Sequence, residues 1–140
     1  MADKIVLNYR VEGDDLSRAG EASSEMKMTL RRLGLAPDVI RKASICMYEG
    51  EINMVIHANG GQVTVEVGLD EIDITMADTG PGIPDIDQAM EEGFSTAGDV
   101  ARDLGFGAGM GLPNMKRYSD EMTLESTVGV GTTVRMKIKI

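Results

Sequence analysis

Three groups of residues in this chain have the types and spacing to do chemistry. In the first, Glu49, Asn53 and His57 recur at intervals of four within an otherwise apolar stretch that includes Val39, Ile40, Ala43, Ile45, Cys46, Met47, Ile52, Val55 and Ile56. Each step of four along an α-helix advances roughly 40° past a full turn, so the three form one polar stripe. A carboxylate and a carboxamide at that spacing can point into one pocket. The Asn53 oxygen suits a hard cation such as Mg²⁺. Glu49 can accept a proton from, or orient, an attacking hydroxyl or water. The same stripe is also what the wet face of a helix looks like, and His57 serves as readily as a structural hydrogen-bond partner.

The second group is Asp78-Thr79-Gly80-Pro81-Gly82-Ile83-Pro84, directly after an alternating segment. Asp78 offers an acceptor-only carboxylate. Gly80 and Gly82 let backbone approach closely. Such a loop can wall a flat ligand, with the aspartate accepting from an exocyclic amine; it can equally be a plain Pro/Gly turn. The third group, Gly105-Phe106-Gly107-Ala108-Gly109-Met110-Gly111-Leu112, runs into a helical pattern. Glycines ahead of a helix expose N–H groups where the helix dipole favours anions, which suits phosphate; a ligand-free hinge would use the same residues. No Gly-Lys-Ser/Thr follows and no strand–turn–helix unit encloses the run, so it is neither a P-loop nor a dinucleotide fingerprint.

The elements that must position these groups follow from periodicity. Residues 4–11 alternate as an edge strand, and 15–33 repeat at helical spacing, with Asp14 or Asp15 as cap and Gly34 as stop. Pro37 and Asp38 open a buried helix to about residue 58, ended by Asn59-Gly60-Gly61. Val63, Val65 and Val67, then Ile72, Ile74 and Met76, alternate as a hairpin. A short helix is expected over 85–92, a glycine-rich loop over 93–109, a helix over 110–119, and a second hairpin over 122–126 and 132–140, turned at 129–131. The order predicts a single α/β (α+β) domain over 1–140, a two-layer sandwich with a mixed, mostly antiparallel sheet and helices on one face.

Composition narrows the function. With 140 residues, 42 % hydrophobic and 4 % aromatic, the core must rest on aliphatics and eleven methionines. A net charge of −9 without a basic run argues against nucleic acid. Neither a secretory leader nor a membrane span is expected. The one cysteine, Cys46, reads as core rather than nucleophile, and the chain as cytoplasmic.

Taken together and in order, Glu49-x-x-x-Asn53-x-x-x-His57-Ala58, Asp78-x-Gly80-x-Gly82 and Gly107-x-Gly109-x-Gly111-Leu112 resemble the N, G1 and G2 boxes of the GHKL ATPases: gyrase, the large heat-shock chaperone, histidine kinases and MutL. The likeness runs from about residue 40 to the end. Gly93-Phe94-Ser95-Thr96 ahead of the lid and Gly131-Thr132-Thr133 on the last strand make the chain most similar to the anti-sigma-factor serine/threonine kinases of partner-switching modules. The resemblance implies a Bergerat-type fold and Mg²⁺ with ATP. Asp78 would bind the adenine amine, Asn53 would ligate Mg²⁺, and Glu49 would be the catalytic base. His57, Gly80, Gly82, Ser95, Thr96, Gly107, Gly109, Met110, Gly111, Leu112 and Thr132 would complete the nucleotide site. Residues 94–109 would form the lid, where Arg102 could reach a phosphate. Thr132 or Thr133 would support the adenine site.

The resemblance further implies a STAS-type antagonist protein as phosphoacceptor, or a sigma factor or other regulator as partner, and allows a homodimer. A non-catalytic ATP-dependent binding switch is the alternative. A detached histidine-kinase ATPase domain fits less well, because those domains lack a catalytic Glu four residues before the Asn. Gly50, next to Glu49, departs from good helix sequence at a cost of ~1 kcal/mol relative to Ala and is expected to be a packing or bending point.

Overall fold

The computed structural model describes residues 4–13, 16–91 and 111–140. Strand β1 (Ile5–Glu12) leads through a 3₁₀ turn, Leu16–Arg18, into α1 (Glu21–Arg32) and α2 (Pro37–His57). The hairpin β2 (Gly60–Val67) and β3 (Glu71–Ala77) follows, then the one-turn helix α3 (Ile86–Ala89). Helix α4 (Gly111–Tyr118) precedes the second hairpin, β4 (Glu121–Thr127) and β5 (Gly131–Lys139). The five strands form one sheet in the order β1-β2-β3-β5-β4. All four pairings are antiparallel, so the mostly antiparallel sheet expected from sequence contains no parallel pair among the described residues.

Register sets which face is buried. Val63 pairs with Met76, Val65 with Ile74 and Val67 with Ile72; Ile72, Ile74 and Met76 then meet Ile138, Met136 and Val134 across β5. These rows lie on one side of the pleat and join Met26, Leu30, Ala43, Met47, Val55 and Met115 from the helices in one buried cluster. The opposite face is polar. There Lys137 bridges Glu71 (3.1 Å) and Glu121 (3.4 Å), contacts that at an exposed surface contribute under about 1 kcal/mol each.

Two boundaries differ from the sequence expectation. The first long helix begins at Glu21 rather than near residue 15, because Gly20, at φ 95°, breaks the chain between the 3₁₀ turn and α1. Asp14 and Asp15, the caps expected for it, lie outside the described residues. Gly20 carries no side-chain cap. Glu51, from the middle of α2, takes over that role. Its Oε2 accepts from the N–H of Gly20 (2.9 Å) and Ala22 (3.2 Å), and its Oε1 from the N–H (2.9 Å) and hydroxyl (2.6 Å) of Ser23. The carboxylate is 2 % exposed and fully engaged. The helix expected over 85–92 shrinks to one turn, with Asp85 Oδ1 accepting from the Gln88 N–H at 3.0 Å.

Candidate functional site

Helix α2 is the spine of the site. Glu49, Asn53 and His57 are each half-buried, while Gly50, Ile52, Met54 and Val55 between them are buried, so the stripe is a seam and not an open wet face. A Cβ at Gly50 would overlap the Met76 thioether on β3. Gly50 is thus a packing point that draws α2 onto the sheet. Burial pushes the Glu49 carboxyl above its usual pKa of 4.5, partly opposed by a hydrogen-bonding interaction from the Asn114 side chain on α4. Burial pushes the His57 imidazole below 6.5, favouring its neutral form. Cys46 is fully buried, its Sγ is 3.7 Å from the Met115 carbonyl, and desolvation raises its thiol to about 12, as befits a core residue.

The Asp78 loop is fixed from two sides. Asp78 Oδ1 accepts from the N–H of Gly80 (2.9 Å) and of Thr132 (3.1 Å), and the Asp78 N–H donates to the Thr132 carbonyl (2.9 Å). Its Oδ2 accepts no hydrogen bond among the described residues. A Cβ at Gly80 would stand 2.7 Å from Ala58 Cα and Cβ, so only glycine lets the loop press on the end of α2. On the other side the loop is stapled to the β4–β5 hairpin. The Ile83 N–H donates to Ser126 Oγ (2.7 Å), Ser126 Oγ lies 2.7 Å from Thr132 Oγ1, and the Gly129 N–H donates to the Pro81 carbonyl (2.8 Å). Strand parity separates the two threonines. Val134, Met136 and Ile138 are buried, so Thr132 shares their face beside Asp78, and Thr133 points to the outer face.

Helix α4 brings the third group in. It starts at Gly111, where a Cβ would lie 3.0 Å from Asn53 Nδ2 and 3.1 Å from Oδ1. Leu112 is buried and anchors the first turn. The structure therefore seats Gly111 on Asn53, one turn before the end of α2, and brings Asp78, Gly80 and Thr132 to Ala58, next to His57 at that end, while Glu49 lies two turns back and Gly82 rests on Thr127 at the hairpin. Ser95, Thr96, Arg102, Gly107, Gly109 and Met110 lie outside the described residues.

Sequence reasoning missed three participants. Asn114 sits three residues after Gly111, on the same helix face, a spacing that was available as a signal. Ser126 looked like an ordinary strand residue, and only the fold brings it to the loop. Glu51 could not be told from a surface glutamate, since its partners lie 28 to 31 residues earlier.

Residues 40–140 match the family described as histidine kinase-, DNA gyrase B- and HSP90-like ATPases. The chain is 41 % identical over 87 residues to the serine/threonine-protein kinase RsbT of Bacillus subtilis, a match covering 59 % of each chain. It is 32 % identical to the anti-sigma F factor of Geobacillus stearothermophilus over 95 % of this chain and 88 % of that one. The anti-sigma F factor of Clostridium acetobutylicum is likewise 32 % identical, over 99 % and 95 %. No described helix is long and apolar enough to cross a membrane.

Proposed function

We propose, from the premise that this chain belongs to the histidine kinase-, DNA gyrase B- and HSP90-like ATPase family and within it to the anti-sigma partner-switching kinases, that it is an Mg·ATP-dependent serine/threonine kinase acting on a STAS-type antagonist protein. The observation that carries the reading is that the Asp78 loop and α4 both pack on the last turns of the helix that carries Glu49 and Asn53. Gly80 packs the Asp78 loop on Ala58, just past the end of α2, and Gly111 packs α4 on Asn53, one turn before that end.

The residues fit the groups they would hold. Asp78 keeps one carboxylate oxygen uncommitted after its partner is engaged twice, which suits an exocyclic adenine amine. Among the described residues no set of three or more His, Cys, Asp or Glu gathers for a metal. A single carboxamide oxygen, Asn53 Oδ1, matches Mg²⁺, which binds through few protein ligands and retains waters and phosphate oxygens. Mg·ATP, when bound, supplies the transferable phosphoryl group and neutralises its charge.

Glu49 does the acid–base work. Its carboxylate accepts the proton of the partner's serine hydroxyl as that oxygen bonds to the γ-phosphorus and the bond to the β-phosphate oxygen breaks, leaving ADP and a phosphoserine. A carboxyl whose proton affinity is raised by burial is tuned toward that role. Thr132 and Ser126 hold Asp78 in place, and neutral His57 closes the far end of the seam. The test is calorimetric titration with Mg·ATP beside Asp78→Asn, followed by transfer of labelled phosphate to candidate STAS proteins. Saturable binding with transfer to serine meets the proposal. Binding intact with no transfer to any candidate excludes the kinase step.

The anti-sigma F relatives, matched over most of their length, favour a second reading in which nucleotide sets affinity for a sigma factor or other regulator. Partner binding that responds to ATP and survives Glu49→Ala would select it.

A further inference from the structure

Helices α2 and α4 pack antiparallel, and four contacts fix their register. Gly111 lies against the Asn53 carboxamide, Met115 Sδ lies 3.7 Å from where a Gly50 Cβ would be, the Met115 carbonyl meets Cys46 Sγ, and the Arg41 guanidinium sits 5.7 Å over the Tyr118 ring. Residues 111, 114 and 118 form one ridge of α4, and 41, 49 and 53 lie along the facing ridge of α2. Both ends of that ridge touch α2. The remaining position, Asn114, is half-buried between them and falls opposite Glu49.

We infer that Asn114 is a positioning residue for Glu49, its carboxamide N–H holding the carboxylate in the orientation needed to receive a proton. The inference rests on the kinase reading for its consequence in catalysis, but the contact itself does not. A half-buried carboxylate on a helix has several rotamers open to it, and a fixed donor on the neighbouring helix selects one. Asn suits the task because its amide donates without adding a charge that would compete for the proton. The donor also favours the ionised carboxylate, so that Glu49 stays available as a base despite its burial. Among the described residues, Cys46 and Tyr48 on α2 are the titratable groups that feel the Glu49 charge. Cys46 also feels Asp120, beyond the end of α4, and Asn114 is the α4 group that acts on Glu49.

Side-chain ¹⁵N–¹H NMR of the whole chain tests the contact without reference to activity. The Asn114 amide resonances should move with pH through a midpoint above the ordinary glutamate value of 4.5, and Glu49→Gln should abolish that movement. Amide resonances that ignore pH, or that titrate unchanged in Glu49→Gln, overturn the inference. The catalytic consequence is read from Mg·ATP turnover in Asn114→Ala and, should that variant fold poorly, Asn114→Leu. The expected result is about a tenfold fall in kcat with KM for ATP within twofold, the pattern of a misaligned base. A loss confined to KM, or none, overturns the positioning role. If Glu49→Gln leaves turnover untouched, the kinase reading fails while the NMR result still decides the contact.

Discussion

Asp78 and Thr132 are tied by two hydrogen bonds, the Thr132 N–H to Asp78 Oδ1 at 3.1 Å and the Asp78 N–H to the Thr132 carbonyl at 2.9 Å. The pair locks the exit of β3 to the entry of β5 and, among the described residues, leaves Asp78 Oδ2 without a hydrogen-bond donor. Asp78→Asn keeps an oxygen for the bonded side but can place an N–H₂ on the open side, where it would face another donor. Calorimetry should find Mg·ATP at least tenfold weaker, about 1.4 kcal/mol, with thermal stability little changed. Unaltered affinity would place adenine elsewhere.

Ser126 is the second tether of that loop. In Ser126→Ala the Ile83 N–H loses its acceptor at 2.7 Å and Thr132 Oγ1 loses its partner. The expected cost is about 1–2 kcal/mol in urea unfolding, together with a several-fold loss of nucleotide affinity as the loop slackens. A variant as stable as wild type would show that the staple does not hold the loop.

Glu49 should be a case of function opposing stability. Its folded-state proton affinity is raised above the unfolded value of 4.5 by burial. Any stability tied to its protonated form is therefore fully present below pH 4.5 and is lost as pH rises through the higher folded value, leaving a constant penalty at neutrality. Glu49→Gln should raise the melting temperature at pH 7, and the gain should vanish below pH 4.5, while any phosphotransfer falls sharply. His57 behaves in the opposite sense: its folded value is depressed below 6.5, so stability should fall as the solution is acidified from 6.5 through that lower value. Following the unfolding midpoint of His57→Gln across the same range separates the two contributions.

Gly50→Ala pits two effects against each other. Alanine gains ~1 kcal/mol in helix propensity, but its methyl would overlap the buried Met76 thioether, and overpacking costs about 1–3 kcal/mol. The net result should be a loss of stability, reduced in the double variant with Met76→Leu if the contact is the cause. Additive losses would point to a different origin.

Much of this was legible from the residues. The alternating Val63, Val65 and Val67 and the Val134, Met136 and Ile138 rows announce strands because burial on one face repeats every second residue. The four-residue spacing of Glu49, Asn53 and His57 announces a shared helix face. The same parity argument would have chosen Thr132 over Thr133 from sequence alone. What stayed hidden depends on distant pairing. Glu51 differs from its helical neighbours only in what lies across from it, and Ser126 acquires its role when the hairpin folds over Pro81. The delayed start of α1 reflects one left-handed residue, Gly20, whose conformation no periodicity encodes.

The cap that Glu51 places on α1 has a consequence for how the chain assembles. A twelve-residue helix that begins at an uncapped glycine is too short to persist alone in water. Its first turn is completed only when α2 has already arrived, because the acceptor for three of its orphan N–H groups and for the Ser23 hydroxyl is supplied by that later helix. A peptide spanning residues 1–34 should therefore be largely unstructured, and helix in α1 becomes a reporter of α2 docking.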